Sequence, residues 1–186
     1  MLIMTGTSKS RWLVFLIGAV VMIAAAAALR WSRFPGDSGV EVYFSPGGGA
    51  REAVISSIQS ATGSVYVAMF YMSSPDIVSA LCEAKLRGVE VVAVFDDSQR
   101  RSFRYLQYGI SMRLHGIPVR YGFPDKGKMH SKFAVIDGSS VLSGSYNWTE
   151  SAENLNTEDM TIMRSPATAA LYEEQFARIW HESDNP

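Results

Sequence analysis

Residues 129–160 read MHSKFAVIDGSSVLSGSYNWTESAENLNTEDM and contain the strongest folding signal of the chain. Two runs rich in apolar and β-branched residues, Lys132–Ile136 and Ser140–Ser143, are separated by the pair Asp137-Gly138. An Asp-Gly pair between two such runs is typical of a β-hairpin turn. We therefore predict two consecutive strands joined by a tight turn in this part of the chain.

Strands and helices alternate along the chain on both sides of this hairpin. Further strands are predicted at Val40–Phe44, Ser64–Phe70, Val89–Phe95, Pro118–Tyr121 and Met160–Met163. Helices are predicted at Arg51–Ala61, Ile77–Leu86, Arg101–Leu114 and Ala167–Glu182, the last with Leu171, Phe176, Ile179 and Trp180 facing inward. The alternation predicts an α/β fold with a mixed, mostly parallel central sheet and helices on both faces.

An unbroken apolar run occupies residues 12–29, between Lys9 and Arg11 on one side and Arg30 and Arg33 on the other. About 20 apolar residues span a bilayer, so this run of 18 predicts a membrane anchor. A cleaved signal peptide is the alternative, because the alanines at 24–28 offer cleavage sites. The flanking charges favour an inside N-terminus only weakly.

The chain of 186 residues has room for one domain of ordinary size plus a short appendage. We divide it into an anchor or signal segment at 1–31, a linker at 32–39 and a folded domain at 40–186. The domain would then face the periplasm or an equivalent compartment, and would be secreted if the first segment is cleaved.

The cysteine and histidine content limits the kinds of site that the chain can build. Cys82 is the one cysteine, which excludes an internal disulfide and a cysteine-based zinc site, and the three histidines show no metal-ligand spacing. We therefore predict no metal and no cofactor. The formal net charge is −1, yet residues 100–132 hold eight lysines and arginines against one aspartate, a segment that could attract a phosphate-bearing substrate.

The hairpin segment also contains the residues with catalytic potential. His130 and Lys132 are two apart at the start of a strand and can project to one side. Ser145 and Asn147 repeat that spacing after Gly144, which permits close backbone approach. A histidine, a lysine, a hydroxyl and an amide suit phosphoryl transfer, where catalysis is mostly positioning and charge stabilisation.

Six residues at fixed spacing, HxKx4Dx6GSxN, make the segment similar to the phospholipase D superfamily. They are His130, Lys132, Asp137, Gly144, Ser145 and Asn147. The resemblance extends over most of residues 40–179 and is greatest to the branch with a single motif, which includes small bacterial endonucleases and mitochondrial cardiolipin hydrolases. Because most members combine two motif copies in one site, a chain with one copy is expected to form a homodimer with the active site at the two-fold interface.

The resemblance also implies a role for each residue of the motif. His130 would attack phosphorus to form a phosphohistidine, and the partner subunit's His130 would protonate the leaving oxygen and then activate water. Lys132 and Asn147 would bind the phosphate, assisted by Ser145.

Two acidic residues complete the predicted site. Glu158 matches the acidic residue that follows the motif in the single-copy branch and would orient His130 through its second ring nitrogen. Asp137 belongs to the motif but is expected to shape the hairpin rather than to carry a proton. Asp96 and Asp97 could be read as a metal pair, although a turn or an interface at a strand end is favoured.

Two substrates fit this chemistry. The first hypothesis is a metal-independent endonuclease acting on DNA or RNA, which the basic segment favours. The alternative is a phospholipase D or cardiolipin hydrolase acting on membrane phospholipid headgroups, which the apolar run favours. A scaffold with a degenerate site is disfavoured by the intact motif.

Overall fold

The computed structural model describes residues 39–122 and 127–183. The predicted anchor or signal segment and the linker as far as residue 38 lie outside these residues. Among the helices that are described, none combines the length and the apolar character needed to cross a bilayer.

The described part of the chain contains seven strands, five α-helices and one 3-10 turn. The strands are β1 (Val40–Ser45), β2 (Ser64–Met69), β3 (Glu90–Asp96), β4 (Val119–Gly122), β5 (Lys132–Ile136), β6 (Ser140–Gly144) and β7 (Glu158–Arg164). The helices are α1 (Ala50–Ser60), α2 (Pro75–Leu86), α3 (Phe103–Leu114), α4 (Glu150–Asn154) and α5 (Pro166–Glu182), and the 3-10 turn is Asp97–Gln99. The α/β class is thus confirmed, while α4 and the 3-10 turn were not predicted.

The strands form one mixed sheet in the order β1-β7-β6-β5-β2-β3-β4. Only the pairs β2–β3 and β3–β4 are parallel, and the other four pairs are antiparallel. The prediction of a mostly parallel sheet was therefore wrong. The short turn at Asp137-Gly138 forces β5 and β6 to pair antiparallel, and β7 and β1 extend the sheet in the same alternating sense.

Helices cover both faces of the sheet, as predicted. One core cluster lies on the side of α1, α2 and α3, and a second lies beneath α5. Within α5, Phe176 and Ile179 are buried and Trp180 packs against the second cluster. Leu171 was expected to face inward but is 67% exposed. It follows buried Ala169 by two positions, which places it on the far side of the helix.

Candidate functional site

His130 and Lys132 lie together where β5 begins. The His130 ring is exposed and packs against the buried Phe70 ring, with the centroids 4.3 Å apart. Lys132 Nζ lies 3.4 Å from His130 Nδ1 and donates to the His130 carbonyl oxygen at 3.0 Å. The expectation that a two-residue spacing brings these side chains to one place is confirmed.

Ser145 and Asn147 follow the end of β6, at the same edge of the sheet as His130. The Asn147 side-chain oxygen accepts a hydrogen bond from the Tyr71 backbone N–H, and the N–H of Phe70 donates to the carbonyl of Ser131. The short segment after β2 therefore touches the chain on both sides of the site. Gly144 is required at the end of β6, because a Cβ there would lie 2.2 Å from the Asp159 carbonyl oxygen.

Glu158 hydrogen-bonds to Ser145 and Asn156 within one chain, and its predicted role in orienting His130 stays a prediction. Its carboxylate accepts a hydrogen bond from the Ser145 hydroxyl at 2.6 Å and from the Asn156 amide at 3.0 Å. Within the described part of one chain it makes no hydrogen bond to His130. Glu158 begins β7, which is separated from β5 by β6, so its side chain meets Ser145 first.

Asp137 lies at the opposite end of β5 from Lys132, about 16 Å away at the usual rise of a strand. Its carboxylate accepts hydrogen bonds from the backbone N–H groups of Thr62, Gly63 and Ser64. The residue itself has a positive φ of 51° in the turn. Asp137 therefore ties the hairpin turn to the start of β2, in agreement with the shaping role favoured from the sequence. It does not lie with His130 and Lys132 at the other end of β5.

His130 and Lys132 have pKa values shifted by their surroundings. Partial desolvation lowers the pKa of His130, and the positive charges of Lys132 and Lys128 lower it further, while Asp96 acts in the opposite direction. The neutral imidazole, which is the nucleophilic form, is therefore favoured. Desolvation also lowers the pKa of Lys132, against the opposing charge of Glu158.

Asp96 is a functional candidate that sequence reasoning missed. It is 3% exposed at the end of β3, and its Oδ2 accepts a hydrogen bond from the Met129 backbone N–H at 2.8 Å. Its Oδ1 accepts from the N–H and the hydroxyl of Ser98. A buried carboxylate thus holds the residue immediately before His130. The pair Asp96-Asp97 had been noticed only as a turn or a possible metal pair.

Gln99, in the 3-10 turn, supports the site from a second direction. Its side chain is buried, donates to the carbonyls of Met69 and Phe70, and accepts from the N–H of Met72. These bonds fix the segment that presents the Phe70 ring to His130. A single glutamine in an irregular stretch gives no periodic signal, so the sequence could not have revealed this contact.

Most arginines of the basic segment are tied into the fold. Arg100 and Arg101 form ion pairs with Asp97. Arg113 donates to the Val119 carbonyl, and Arg120 lies over the Trp180 ring and donates to its carbonyl.

Lys128 and Lys132 lie beside the Phe70 ring that packs on His130, with their Nζ atoms 5.6 and 5.0 Å from its centre. Across residues 39–122 and 127–183, no three His, Cys, Asp or Glu side chains are grouped so as to hold a metal ion.

Comparisons with known proteins agree with this arrangement. The family model described as "Cardiolipin synthase, PLD-like domain" matches residues 54–180. The mitochondrial cardiolipin hydrolase of Mus musculus is 33% identical over 150 residues, which cover 81% of this chain and 66% of the relative. The phospholipase D of Rickettsia prowazekii is 29% identical over 140 residues, covering 73% of this chain and 64% of that protein.

Among solved structures, the crystal structure of Nuc, a phospholipase D family member from Salmonella typhimurium, superposes with a TM-score of 0.74. It is 33% identical, and the match covers 79% of this chain and 97% of Nuc. The chain spans between half and two thirds of the length of the mitochondrial cardiolipin hydrolases that it matches. With the family model matching well over half of the residues, this chain belongs to the phospholipase D superfamily.

Proposed function

We propose that this protein is a metal-independent phosphodiesterase that works through a phosphohistidine intermediate as a homodimer, and that nucleic acid is its substrate. The observation that carries the proposal is the pairing of His130, whose pKa is lowered, with Lys132 at an exposed sheet edge that also presents Ser145 and Asn147.

The chemistry requires each group at that edge to act on a different part of the phosphodiester. The neutral His130 ring forms a bond to phosphorus while the bond to the leaving oxygen breaks, and the partner subunit's His130 gives that oxygen its proton. The same partner histidine then takes a proton from water, whose oxygen displaces His130 from phosphorus. The Lys132 ammonium neutralises charge on the non-bridging oxygens, and the NH2 group of Asn147 donates hydrogen bonds to them.

A homodimer needs an interface beside the site, and β1 offers one. Three apolar side chains lie on the same side of this edge strand and are 46%, 52% and 60% exposed, namely Val40, Val42 and Phe44. They lie on the face of the sheet that α5 covers over other strands. Phe44 pairs with Asp159, the neighbour of Glu158, so the apolar strip ends at the site. We expect a second copy to cover this strip, whose Phe44 end lies at the same end of the sheet as His130.

Nucleic acid is the preferred substrate because lysine cations surround His130 and because the motif resembles that of the single-copy endonucleases. Phospholipid headgroups are a second candidate, supported by the relatives named mitochondrial cardiolipin hydrolase and by the apolar run at residues 12–29. The two candidates share one catalytic mechanism and differ only in what is attached to the phosphate.

The mechanism is tested with the full chain in detergent, using bis(p-nitrophenyl) phosphate in excess EDTA. We expect hydrolysis to continue in EDTA and to vanish in His130→Asn, together with the covalent intermediate trapped by rapid quenching of a radiolabelled diester. Loss of activity on chelation, or turnover in His130→Asn, would refute the mechanism. Parallel assays on single-stranded DNA, RNA and cardiolipin vesicles then identify the substrate.

The shared site makes a separate prediction for mixtures of chains. When wild-type and His130→Asn chains are co-expressed, activity should fall with the square of the wild-type fraction, because both histidines serve one site. Activity proportional to that fraction would mean that each chain works alone. Phe44→Glu should dissociate the dimer and abolish turnover, whereas Leu86→Glu, at a position 76% exposed on another surface, should do neither.

A further inference from the structure

Helix α3 carries apolar side chains on the face that points away from the core. Phe103 is 78% exposed, Ile110 is 43% exposed and Leu114 is 82% exposed. Their spacings of seven and four residues place all three on one side of the helix. We refer to these three residues as the α3 outer face.

The α3 outer face is not an extension of the core. On the opposite side of the same helix Met112 is fully buried. Tyr108 and, at the flank of the helix, Leu106 are partly buried and pack against the larger core cluster. The helix therefore has one apolar side for the fold and a second that the described chain leaves uncovered. Single exposed apolar residues are ordinary on protein surfaces, but a row along a whole helix marks a docking surface.

The charged residues of α3 itself are all positive. From Phe103 to Leu114 the sequence contains two arginines, Arg104 and Arg113, and no aspartate or glutamate. Arg104 is exposed beside Phe103 and forms no ion pair among the described residues. A helix with aromatic and aliphatic residues on one side and arginines at its flank is typical of binding to the surface of an anionic bilayer.

The chain itself limits how far this domain can be from a membrane. Ten residues separate the apolar run at 12–29 from Val40, and a fully extended chain of that length covers at most about 35 Å. If the run is held in a bilayer, the linker keeps Val40, where the domain begins, within that distance of the end of the run. A lipid surface is therefore the occupant that both the charge and the connectivity favour.

We propose that the α3 outer face lies on the headgroup region of an anionic bilayer, with Phe103 and Leu114 inserted among the lipids. The contact begins next to the active site. Tyr105, on the first turn of α3, stacks on Tyr71 at 4.9 Å, and the backbone N–H of Tyr71 binds Asn147. This membrane contact does not depend on the proposed catalytic activity, and it holds for either substrate.

The test uses the full chain in nanodiscs with fluorophores attached to Phe103→Cys, Leu114→Cys or Ser56→Cys. Ser56 lies exposed on α1 and serves as the matched control. The native Cys82 should not react, because it is buried and burial raises the pKa of its thiol. Each variant is first shown to keep the wild-type unfolding temperature, so that the result does not rely on activity.

Brominated lipids should quench the labels at 103 and 114 and leave the label at 56 unchanged, with stronger quenching in phosphatidylglycerol than in phosphatidylcholine. Adding Arg104→Gln should lower the equilibrium constant for the contact about fivefold. Labels that are unquenched and as open to aqueous iodide as the control would overturn the proposal. Labels protected from iodide but unaffected by bromolipid would overturn it too, because protein would then cover the face.

Discussion

Replacing Asp96 by asparagine should separate the positioning of His130 from the stability of the fold. The carboxylate of Asp96 accepts from Met129 on one oxygen and from Ser98 on the other. An asparagine has one oxygen only, so its NH2 group must face one of two N–H donors. The substitution changes no atom of the groups that would touch the substrate.

The size of the effect follows from this mismatch. A buried donor left without an acceptor costs about 1–3 kcal/mol. If the whole penalty falls on the segment that carries His130, the rate falls by up to about a hundredfold, since each 1.4 kcal/mol is a factor of ten. Substrate binding through Lys132 should be little affected, so kcat should fall while KM stays near the wild-type value.

The pH profile gives a second readout, which a purely structural role would leave unchanged. Asp96 raises the pKa of His130, so its neutralisation in Asp96→Asn should lower that pKa further. In the proposed mechanism the nucleophile is the neutral ring, which forms above the pKa of His130. The acid limb of kcat/KM should therefore move to lower pH in the variant.

The matched control is Ser98→Ala, which removes the hydroxyl from the other side of the same carboxylate and leaves the Met129 contact intact. Both variants should lower the unfolding temperature, but only Asp96→Asn should lower kcat. Equal kcat values for wild type and Asp96→Asn would refute the positioning role. An equal loss in Ser98→Ala would show that general loosening, and not the Met129 bond, is responsible.

Three further predictions follow from individual side chains. Asp137→Asn should destabilise the protein by about 1–3 kcal/mol but leave kcat unchanged in the folded enzyme, as thermal unfolding and an assay well below the transition would show. Lys128→Gln should move the acid limb to higher pH, opposite to Asp96→Asn, because it removes a charge that lowers the pKa of His130. In Glu158→Gln, the rise of KM at alkaline pH should begin at a lower pH than in the wild type, because the charge of Glu158 raises the pKa of Lys132.

The pH dependence of stability should reveal the same role for Asp137. Burial alone would raise the pKa of Asp137, but its bonds from Thr62, Ser64 and Gly63 lower it on balance. A group whose pKa is lower when folded stabilises the protein above its unfolded pKa. That stability should decline as the pH falls through the folded pKa, and Asp137→Asn should lack this decline. An unchanged decline in the variant would contradict the assignment.

The sequence predicted those features that depend on short spacings. The hairpin followed from Asp137-Gly138, the shared direction of His130 and Lys132 from a two-residue interval, and the family from six residues within eighteen positions. Each of these signals lies within a few residues of the structure that it specifies. Periodicity likewise located both ends of α1, α2, α3 and α5 to within two residues.

The features that were missed depend on contacts between distant segments. Asp96 is 33 residues from Met129 in the sequence, and Gln99 is 27 residues from Met72. Neither has a pattern in its own neighbourhood that indicates a partner. The hydrogen bond from Ser145 to Glu158 was likewise not predicted, and the role of Glu158 toward His130, assigned by analogy, stays a prediction.

The site depends on the direction of the pair β5–β6, which the hairpin prediction gave correctly although the sheet as a whole was predicted to be mostly parallel. In a parallel pair, the start of one strand and the end of the next lie at opposite edges of the sheet. His130 and Lys132 precede or begin β5, whereas Ser145 and Asn147 follow β6, so the motif can form a single site only if β5 and β6 are antiparallel. The turn that reverses the chain is held by Asp137 at the far edge. The aspartate of the motif and its histidine thus contribute to one site from opposite ends of the same strand, the first by fixing the geometry and the second by the proposed attack on phosphorus.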